Sequence, residues 1–410
     1  MLPFSSWEIG PIFRAMTRNK VGAVLIALQV AVTMCIIVNS VHILMERTEQ
    51  MARDSGIDEA NSFYLSSTGF ADDFNDQVVI QTDLDAIRAL PGVIDAMQIN
   101  AIPISGGGWS MGLQTQPGAE FEGVGTAVYM VDDHVLNTLD LELIAGEAFQ
   151  PSDIRWRERS QRDWPAEIII TRALTENLFP EQSYQDTVGK TLYINDDEPV
   201  IIKGIIDKLQ APWVGWERLE NAMLSPEQTL FSSSMYFVRT EPGRLDELMP
   251  AVEQMLADSN KGRVVRGLRS MQETRERTYR RDQAMIKILT TVMITLTLVT
   301  ALGIVGLASF NVNRRRKQIG TRRALGASQA SVLRYFMLEN FLISSIGVIL
   351  GAVLTVGLNI YLVQSLGLTK LHWWLIPVGM LTLWLVGQLA VLGPARRATA
   401  TSPAIATRTV

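Results

Sequence analysis

The stretch 21-VGAVLIALQVAVTMCIIVNSVHIL-44 contains no charged residue. A helix needs roughly 20 apolar residues to cross the hydrocarbon core of a bilayer, so this stretch predicts a first membrane-spanning helix. Three further apolar stretches of similar length lie near the other end of the chain, at 286–310, 341–363 and 371–392. Together they predict a membrane protein with four transmembrane α-helices.

The polar region 45–282 separates the first span from the second. It contains 40 of the 42 acidic residues but only 22 of the 37 basic ones. Short loops rich in Lys and Arg stay in the cytoplasm, whereas long domains are translocated largely regardless of charge. We therefore expect both termini to be cytoplasmic and region 45–282 to lie on the other side. The basic run 314–317 flanks a span, which favours an orientation signal over nucleic-acid contact.

The sequence divides into segments of distinct polarity. They are 1–20 (cytoplasmic amphipathic helix), 21–44 (first span), 45–282 (extracytoplasmic domain with a helical stalk), 286–310 (second span), 311–332 (cytoplasmic loop), 333–363 (third span with its lead-in), 371–392 (fourth span) and 393–410 (cytoplasmic tail). The amphipathic helix is predicted from apolar residues at helical spacing. The alternative is that this segment continues the helix of the first span. The stalk is predicted from charged stretches without Gly or Pro beside the first and second spans. The alternative is that these stretches are ordinary solvated helix ends.

Region 45–282 alternates strand-like and helix-like segments, which indicates an α+β domain. One predicted helix begins at a Thr82 or Asp83 cap and ends before Pro91-Gly92. The stretch 207–230 has no clear period and contains Trp213 and Trp216. It is either a loop that contacts a partner or a hydrophobic anchor packed on the domain. The single cysteine, in the first span, leaves the domain without disulfides.

The sequence contains no recognisable catalytic or metal site. Gly189-Lys190-Thr191 ends like a phosphate-binding loop, but Tyr184 stands where that motif needs glycine. The histidines do not lie at ligand spacing, and no nucleophile elbow is present. We therefore expect a non-catalytic chain without a cofactor of its own. Gly347 and Gly351 form a small-residue pair that allows close helix packing, either between chains or within one chain.

The segment 314-RRRKQIGTRRALGA-327 resembles the loop after the second span in permeases of the MacB and FtsX superfamily of ABC transporters. The resemblance continues through 328–338 and in the tail. The external domain resembles that of the same family in several short motifs, at 145–149, 168–171, 178–180, 188–190 and 200–207. The resemblance implies a MacB-like periplasmic core domain between helices one and two.

The resemblance also implies a coupling helix that docks on an ABC ATPase. Its residues are Lys317, Gln318, Ile319, Gly320, Thr321, Arg322, Arg323, Ala324, Leu325 and Gly326. Arg322 and Arg323 are expected to pair with acidic groups of the ATPase, and the glycines to allow sharp turns. Two positions depart from the family pattern: Gln318 replaces a usual acid, and Glu147 replaces a common arginine. Because no ATPase precedes the first span in this sequence, we expect a separate ATPase subunit, which binds ATP and Mg.

The resemblance implies a permease subunit in a bacterial inner membrane, with the large domain in the periplasm. ATP hydrolysis in the partner would move that domain, a process called mechanotransmission, for export of a peptide, drug or toxin. Expected partners are the ATPase, a second permease copy or paralogue, the bilayer, and an adaptor with an outer-membrane duct, but no nucleic acid. A lipoprotein-release permease and an FtsX-like regulator of cell-wall hydrolases remain alternatives.

Overall fold

The computed structural model describes residues 20–71, 74–231 and 233–400. The chain divides into two compact units, one comprising residues up to Met51 and from Asp282 onward, the other Ala52–Arg281. The predicted amphipathic helix lies outside the described residues except for Lys20, and so does the end of the predicted tail, 401–410.

The helices and strands are numbered here in chain order. The described helices are α1 (Lys20–Met51), α2 (Asp76–Arg88), α3 (Val135–Leu139), α4 (Arg172–Leu178), α5 (Tyr184–Thr187), α6 (Leu245–Ser259), α7 (Met271–Thr278), α8 (Arg280–Arg314), α9 (Arg316–Ala324), α10 (Gln329–Leu366) and α11 (Leu375–Thr399). The described strands are β1 (Ser62–Gly69), β2 (Val93–Gln98), β3 (Trp109–Gln114), β4 (Val124–Val131), β5 (Leu143–Gly146), β6 (Arg155–Glu158), β7 (Glu167–Thr171), β8 (Thr191–Ile194), β9 (Glu198–Ile206), β10 (Ala222–Leu230), β11 (Ser233–Thr240) and β12 (Arg263–Ser270).

The first unit contains four helices that are long and apolar enough to cross a membrane: α1, α8, α10 and α11. This confirms the prediction of four spans flanking a large domain. Helices α1, α8 and α10 extend beyond the apolar stretches at both ends, and α1 continues to Met51. Helix α11 starts at Leu375, later than the predicted 371. Pro377 lies in its first turn, where a missing N–H costs no intrahelical hydrogen bond.

The second unit contains a lobe built on an antiparallel sheet of order β12-β1-β11-β2. We call it the sheet lobe; helices α2 and α6 complete it. Residues of both helices, such as Leu84 and Val252, share an apolar cluster with Phe63 of β1 and Tyr236 of β11. This chain order and strand order correspond to the split βαβ arrangement of ferredoxin-like domains. Helix α2 begins at the Asn75 cap rather than at the predicted Thr82 or Asp83.

Strands β3–β10 form a second lobe, inserted in the chain between β2 and β11. We call it the barrel lobe, because pairing of β4 with both β3 and β10 closes a ring of β4, β3, β8, β9, β7 and β10. Closure leaves these strands without a free edge along the ring. Val128 and Met130 join the cluster to which every ring strand contributes, which places them in the interior. The alternate residue Tyr129 belongs to another cluster.

That other cluster lies between the two lobes. It joins Tyr129 and Leu224 of the barrel lobe to Met97 and Phe237 of the sheet lobe. The indoles of the aperiodic stretch 207–230 are partly buried against it. Their rings contact each other edge to face, with centroids 5.6 Å apart. Packing of these indoles on the domain is what the hydrophobic-anchor alternative predicts; contact with a partner stays a prediction.

Candidate functional site

Helix α9 carries the core of the segment for which the sequence predicts a coupling role. Ile319 and Gly320 are buried, whereas Arg316, Lys317 and Gln318 are exposed. Helical spacing thus separates an inner apolar face from an outer basic face. No acidic residue lies between 311 and 332, so the outward face carries positive charge and no negative charge.

The segment ends in a tight turn after α9. Gly326 has a φ of +96°, a conformation that glycine adopts without steric cost. The turn is closed by a hydrogen bond of 3.0 Å from the N–H of Ala327 to the carbonyl of Arg322. Next to it, Leu325 has 84% of its surface exposed. An apolar side chain therefore stands at the tip of a basic segment.

An ion pair ties the start of α9 to α10. Arg315 donates a hydrogen bond from Nη1 to Oε2 of Glu339 at 2.9 Å, and another to the hydroxyl of Tyr335 at 3.2 Å. The Glu339 side chain is only 7% exposed. A buried carboxylate requires such a partner, because an unpaired charge there costs several kcal/mol. The sequence pattern alone did not predict this pair, although a lone acid beside a span signals a partner.

The two arginines expected to meet the ATPase have different surroundings. Arg323 donates a hydrogen bond from Nη1 to the carbonyl of Thr399, at 2.6 Å, at the end of α11. Its positive charge there complements the negative end of the helix dipole. Arg322 is exposed and lies over the ring of Tyr335, 5.4 Å from its centroid. Arg322 thus remains accessible, whereas Arg323 is engaged within the chain.

The predicted packing residues lie on a different part of α10, against α1. A Cβ atom on Gly347 would lie 2.8 Å from the carbonyl oxygen of Ala27 and 2.8 Å from Cβ of Val30. One on Gly351 would lie 2.8 Å from Cβ of Met34. Both glycines thus permit contact between two helices of the same chain.

Polar side chains of α1 also join it to its neighbours. Thr33 shares a hydrogen bond of 2.8 Å with Thr300 of α8, and Gln29 donates to the carbonyl of Val299 at 3.1 Å. Asn39 donates to the carbonyl of Thr355 in α10 at 3.3 Å. Such bonds hold helices together where apolar burial provides no driving force.

The two remaining sequence features, the Gly189 turn and His134, make contacts within the external domain. Gly189 has a φ of +84° in a turn, and its N–H donates to the carbonyl of Ile202 at 2.8 Å. His134 pairs with Asp95, its Nδ1 lying 2.9 Å from Oδ1. Within 20–71, 74–231 and 233–400, no group of three or more His, Cys, Asp and Glu residues could hold a metal ion.

Comparison with known proteins covers both units. Residues 21–255 match the family model of the MacB-like periplasmic core domain, and residues 290–403 match that of the FtsX-like permease C-terminal domain. The macrolide export ATP-binding/permease protein MacB of Wolinella succinogenes is 23% identical, over 83% of this chain and 50% of that protein. MacB of Marinobacter nauticus is 24% identical, over 60% of this chain and 38% of that protein. The chain thus spans about half the length, or less, of these curated relatives.

Solved structures of two external domains are also similar. The periplasmic region of MacB from Actinobacillus actinomycetemcomitans aligns with a TM-score of 0.33 and 13% identity, covering 56% of this chain and 96% of that one. The extracellular domain of the transporter YknZ from Gram-positive bacteria aligns with a TM-score of 0.32 and 15% identity, covering 50% of this chain and 100% of that one.

Proposed function

Since the chain belongs to the MacB/FtsX-type permeases of ABC transporters, we propose that it is a non-catalytic permease subunit driven by a separate ATPase. The observation that carries the proposal is the exposed surface of α9 and its turn. It combines the positive charges of Lys317 and Arg322 with the apolar side chain of Leu325. This surface suits a partner cleft with an acidic rim and an apolar floor, since buried apolar contacts provide affinity and rim charges provide orientation.

The internal contacts of α9 support a coupling role. Arg315 joins it to α10 through Glu339, and Arg323 joins it to α11 through the carbonyl of Thr399. A displacement of α9 by the partner is therefore passed to two spanning helices. ATP and Mg belong to the partner in this proposal, and closure of its nucleotide sites supplies the displacement. The residues of this chain bind the partner and transmit movement to the external domain, which is mechanotransmission.

Charge distribution supports an orientation in the bacterial inner membrane. The segments 1–20, 311–332 and 393–410, which flank the spans on the side of α9, are basic, whereas region 45–282 is acidic. We therefore place α9 and both termini in the cytoplasm and the external domain in the periplasm. The proposed assembly contains a second permease copy or paralogue, and its cargo is a peptide, drug or toxin passed to an adaptor and an outer-membrane duct.

Co-purification tests the ATPase coupling. The full chain is isolated from its native host in mild detergent, and companion proteins are identified by mass spectrometry. A Lys317→Glu/Leu325→Asp variant alters only exposed side chains, and Arg397→Glu, also exposed, is the matched charge-reversal control. We expect a stoichiometric ATPase with the wild-type chain and the control, and at least a tenfold loss with the double variant.

The same experiment distinguishes the alternatives. An adaptor or duct among the companions supports export, whereas a bound cell-wall hydrolase supports an FtsX-like regulator. Loss of lipoprotein sorting in a deletion strain supports lipoprotein release. Absence of any ATPase, even after cross-linking of the wild-type complex, contradicts all three ATP-driven functions.

A further inference from the structure

The external unit is joined to the spanning helices by two chain connections. One is segment 52–61, which follows α1, and the other is α7, which precedes α8. In the proposed function, movement of the spans must enter the domain through these connections. If the two connections move together, the domain receives one displacement; if they move separately, it receives two independent ones.

One side chain joins the two connections. Arg275 of α7 donates from Nε to Oε2 of Glu59 at 2.6 Å and from Nη2 to Oε1 of Glu59 at 2.5 Å. The same Nη2 donates to the carbonyl of Arg53 at 3.0 Å. The hydroxyl of Ser55 donates a further hydrogen bond to Glu59. We call these four residues the Arg275 clamp.

The geometry of the clamp is that of a strong ion pair. A bidentate guanidinium–carboxylate contact fixes orientation as well as distance. The side chains of Arg275 and Glu59 are only 24% and 15% exposed, so water screens the pair weakly. The hydrogen bond from Arg275 to Glu59 raises the pKa of the guanidinium above its ordinary value. The guanidinium of Arg275 therefore stays charged.

Segment 52–61 is also fastened to the barrel lobe. Gln210, in the loop after β9, donates its N–H to the carbonyl of Ser55 at 3.0 Å. Its side chain donates to the carbonyl of Asp54 at 2.9 Å. Gly56 has a φ of +83°, and a Cβ there would lie 2.5 Å from the carbonyl oxygen of Lys208. The segment is thus held at backbone contact distance.

Helix α7 is fastened at both of its ends. Ser270 and Glu273 cap its start reciprocally, and the Thr274 hydroxyl lies 3.1 Å from that of Tyr64 in β1. At its end, Thr278 donates to the carbonyl of Ile104 at 2.8 Å. The clamp therefore connects two separately anchored segments.

The helices that lead to these connections are joined in the membrane unit as well. Arg47 of α1 donates to Asp282 of α8 at 2.9 Å, in addition to the hydrogen bond between Thr33 and Thr300. We propose that Arg275 is a positioning residue for transmission, which locks the two chain connections so that α1 and α8 deliver a single displacement to the external domain. This inference rests on the proposed function.

Hydrogen exchange of the full chain in lipid nanodiscs tests the clamp itself, without the ATPase. We expect Arg275→Glu to accelerate exchange in 52–61 and 271–279 at least tenfold. The charge swap Glu59→Arg/Arg275→Glu should restore most of the protection. Arg275→Lys, which keeps the charge but loses the two-pronged guanidinium contact, should give an intermediate result.

Arg244→Glu breaks an exposed pair with Glu247 and is the control. Unchanged exchange in Arg275→Glu overturns the inference.

The complex with the co-purified ATPase tests transmission. On adding a non-hydrolysable ATP analogue, we expect wild-type chains to change exchange in α9 and in the external domain. Arg275→Glu should retain the change in α9 and lose at least four fifths of the change in the domain, with recovery in the swap. A domain response equal to wild type overturns the inference. No response of α9 in the wild type contradicts the proposed function instead, and the clamp is then judged by the first measurement.

Discussion

Arg88 of the sheet lobe donates a hydrogen bond from Nη2 to Oδ2 of Asp132 in the barrel lobe at 3.2 Å. Asp132 follows β4, is buried, and also accepts from the N–H of His134 at 3.0 Å and from Gln228 at 3.3 Å. Nearby, Arg88 also approaches Asp95, which pairs with the His134 ring. A polar network therefore joins the two lobes beside the apolar cluster between them.

This network predicts a pH dependence of stability. Burial raises the pKa of the Asp132 carboxyl from 3.8 to about 6, although Arg88 and the N–H of His134 lower it. A group whose pKa is higher in the folded state contributes stability that is lost as pH rises through that pKa. We therefore expect the wild-type free energy of unfolding, relative to that of Asp132→Asn, to fall between pH 3.8 and about 6.

Hydrogen exchange in the β4 peptides of the full chain, recorded from pH 4 to 8 with correction for intrinsic rates, measures this difference. Asp197→Asn, which changes an exposed carboxyl of the same lobe, is the control. A wild-type profile parallel to that of Asp132→Asn across the whole range would contradict the prediction.

The Arg315–Glu339 pair predicts a second outcome. Arg315→Ala leaves the buried carboxylate of Glu339 without its cation, and breaking such a pair costs about 3 kcal/mol or more. Replacing both residues, as Arg315→Met/Glu339→Leu, should restore most of that stability because no buried charge remains. It should not restore ATPase binding, since α9 loses its attachment to α10.

Thermal unfolding in one detergent measures the stability, and co-purification measures the ATPase. Lys317→Ala, at an exposed position of the same helix, should leave the unfolding temperature unchanged. The prediction is wrong if the double replacement unfolds as early as Arg315→Ala.

The spans could be predicted because their signal is local: an uninterrupted apolar run needs no knowledge of its neighbours. The position of α9 could be predicted as well, from its basic composition and family resemblance. Its attachments could not. The contact of Arg315 with Glu339, and that of Arg323 with the carbonyl of Thr399, depend on which helices pack together.

Strands of the external domain were missed where their pattern is atypical. Strand β12 carries three arginines and reads as polar, but it lies at a sheet edge beside β1. Strand β10 contains Pro226, and a proline argues against a central strand. Pro226 nevertheless lies opposite Val131, at the end of the register between β10 and β4. Strand β2 ends at Gln98, and beyond it Ile104 has a φ of +58°. Asp83, expected to cap a helix, lies within α2, where its buried carboxylate pairs with Arg263.

The interior partner of Asp83 is Arg263, and the pair predicts a third outcome. The Arg263 side chain is fully buried, and its Nε donates to the carbonyl of Leu256 at 3.0 Å. The Tyr236 hydroxyl donates to Asp83 at 2.7 Å. Arg263→Ala should cost about 3–5 kcal/mol, because it strands a buried carboxylate. Tyr236→Phe removes one hydrogen bond and should cost about 1–2 kcal/mol.

Urea unfolding of the full chain, followed by exchange in the sheet-lobe peptides, measures both losses. Arg266→Ala lies on the same strand at an exposed position and should be neutral within about 0.5 kcal/mol. Equal losses for Arg263→Ala and Arg266→Ala would show that the buried pair is not the source of the stability.

The contact of α10 with α1 predicts a fourth outcome, which bears on whether the glycine pair serves one chain or two. Gly347→Leu places a side chain against Ala27 and Val30 of α1, and overpacking of this kind costs about 1–3 kcal/mol. Gly357→Leu, on the same helix, meets nothing within 4 Å of its Cβ. Because both replacements gain the same helix propensity, the difference between their stabilities isolates the packing cost.

Unfolding in mixed micelles should therefore begin at lower denaturant for Gly347→Leu than for Gly357→Leu, at any protein concentration. If Gly347 instead lay between two copies of the chain, the variant would dissociate a dimer while each chain kept its wild-type unfolding midpoint, which cross-linking at matched concentrations would reveal.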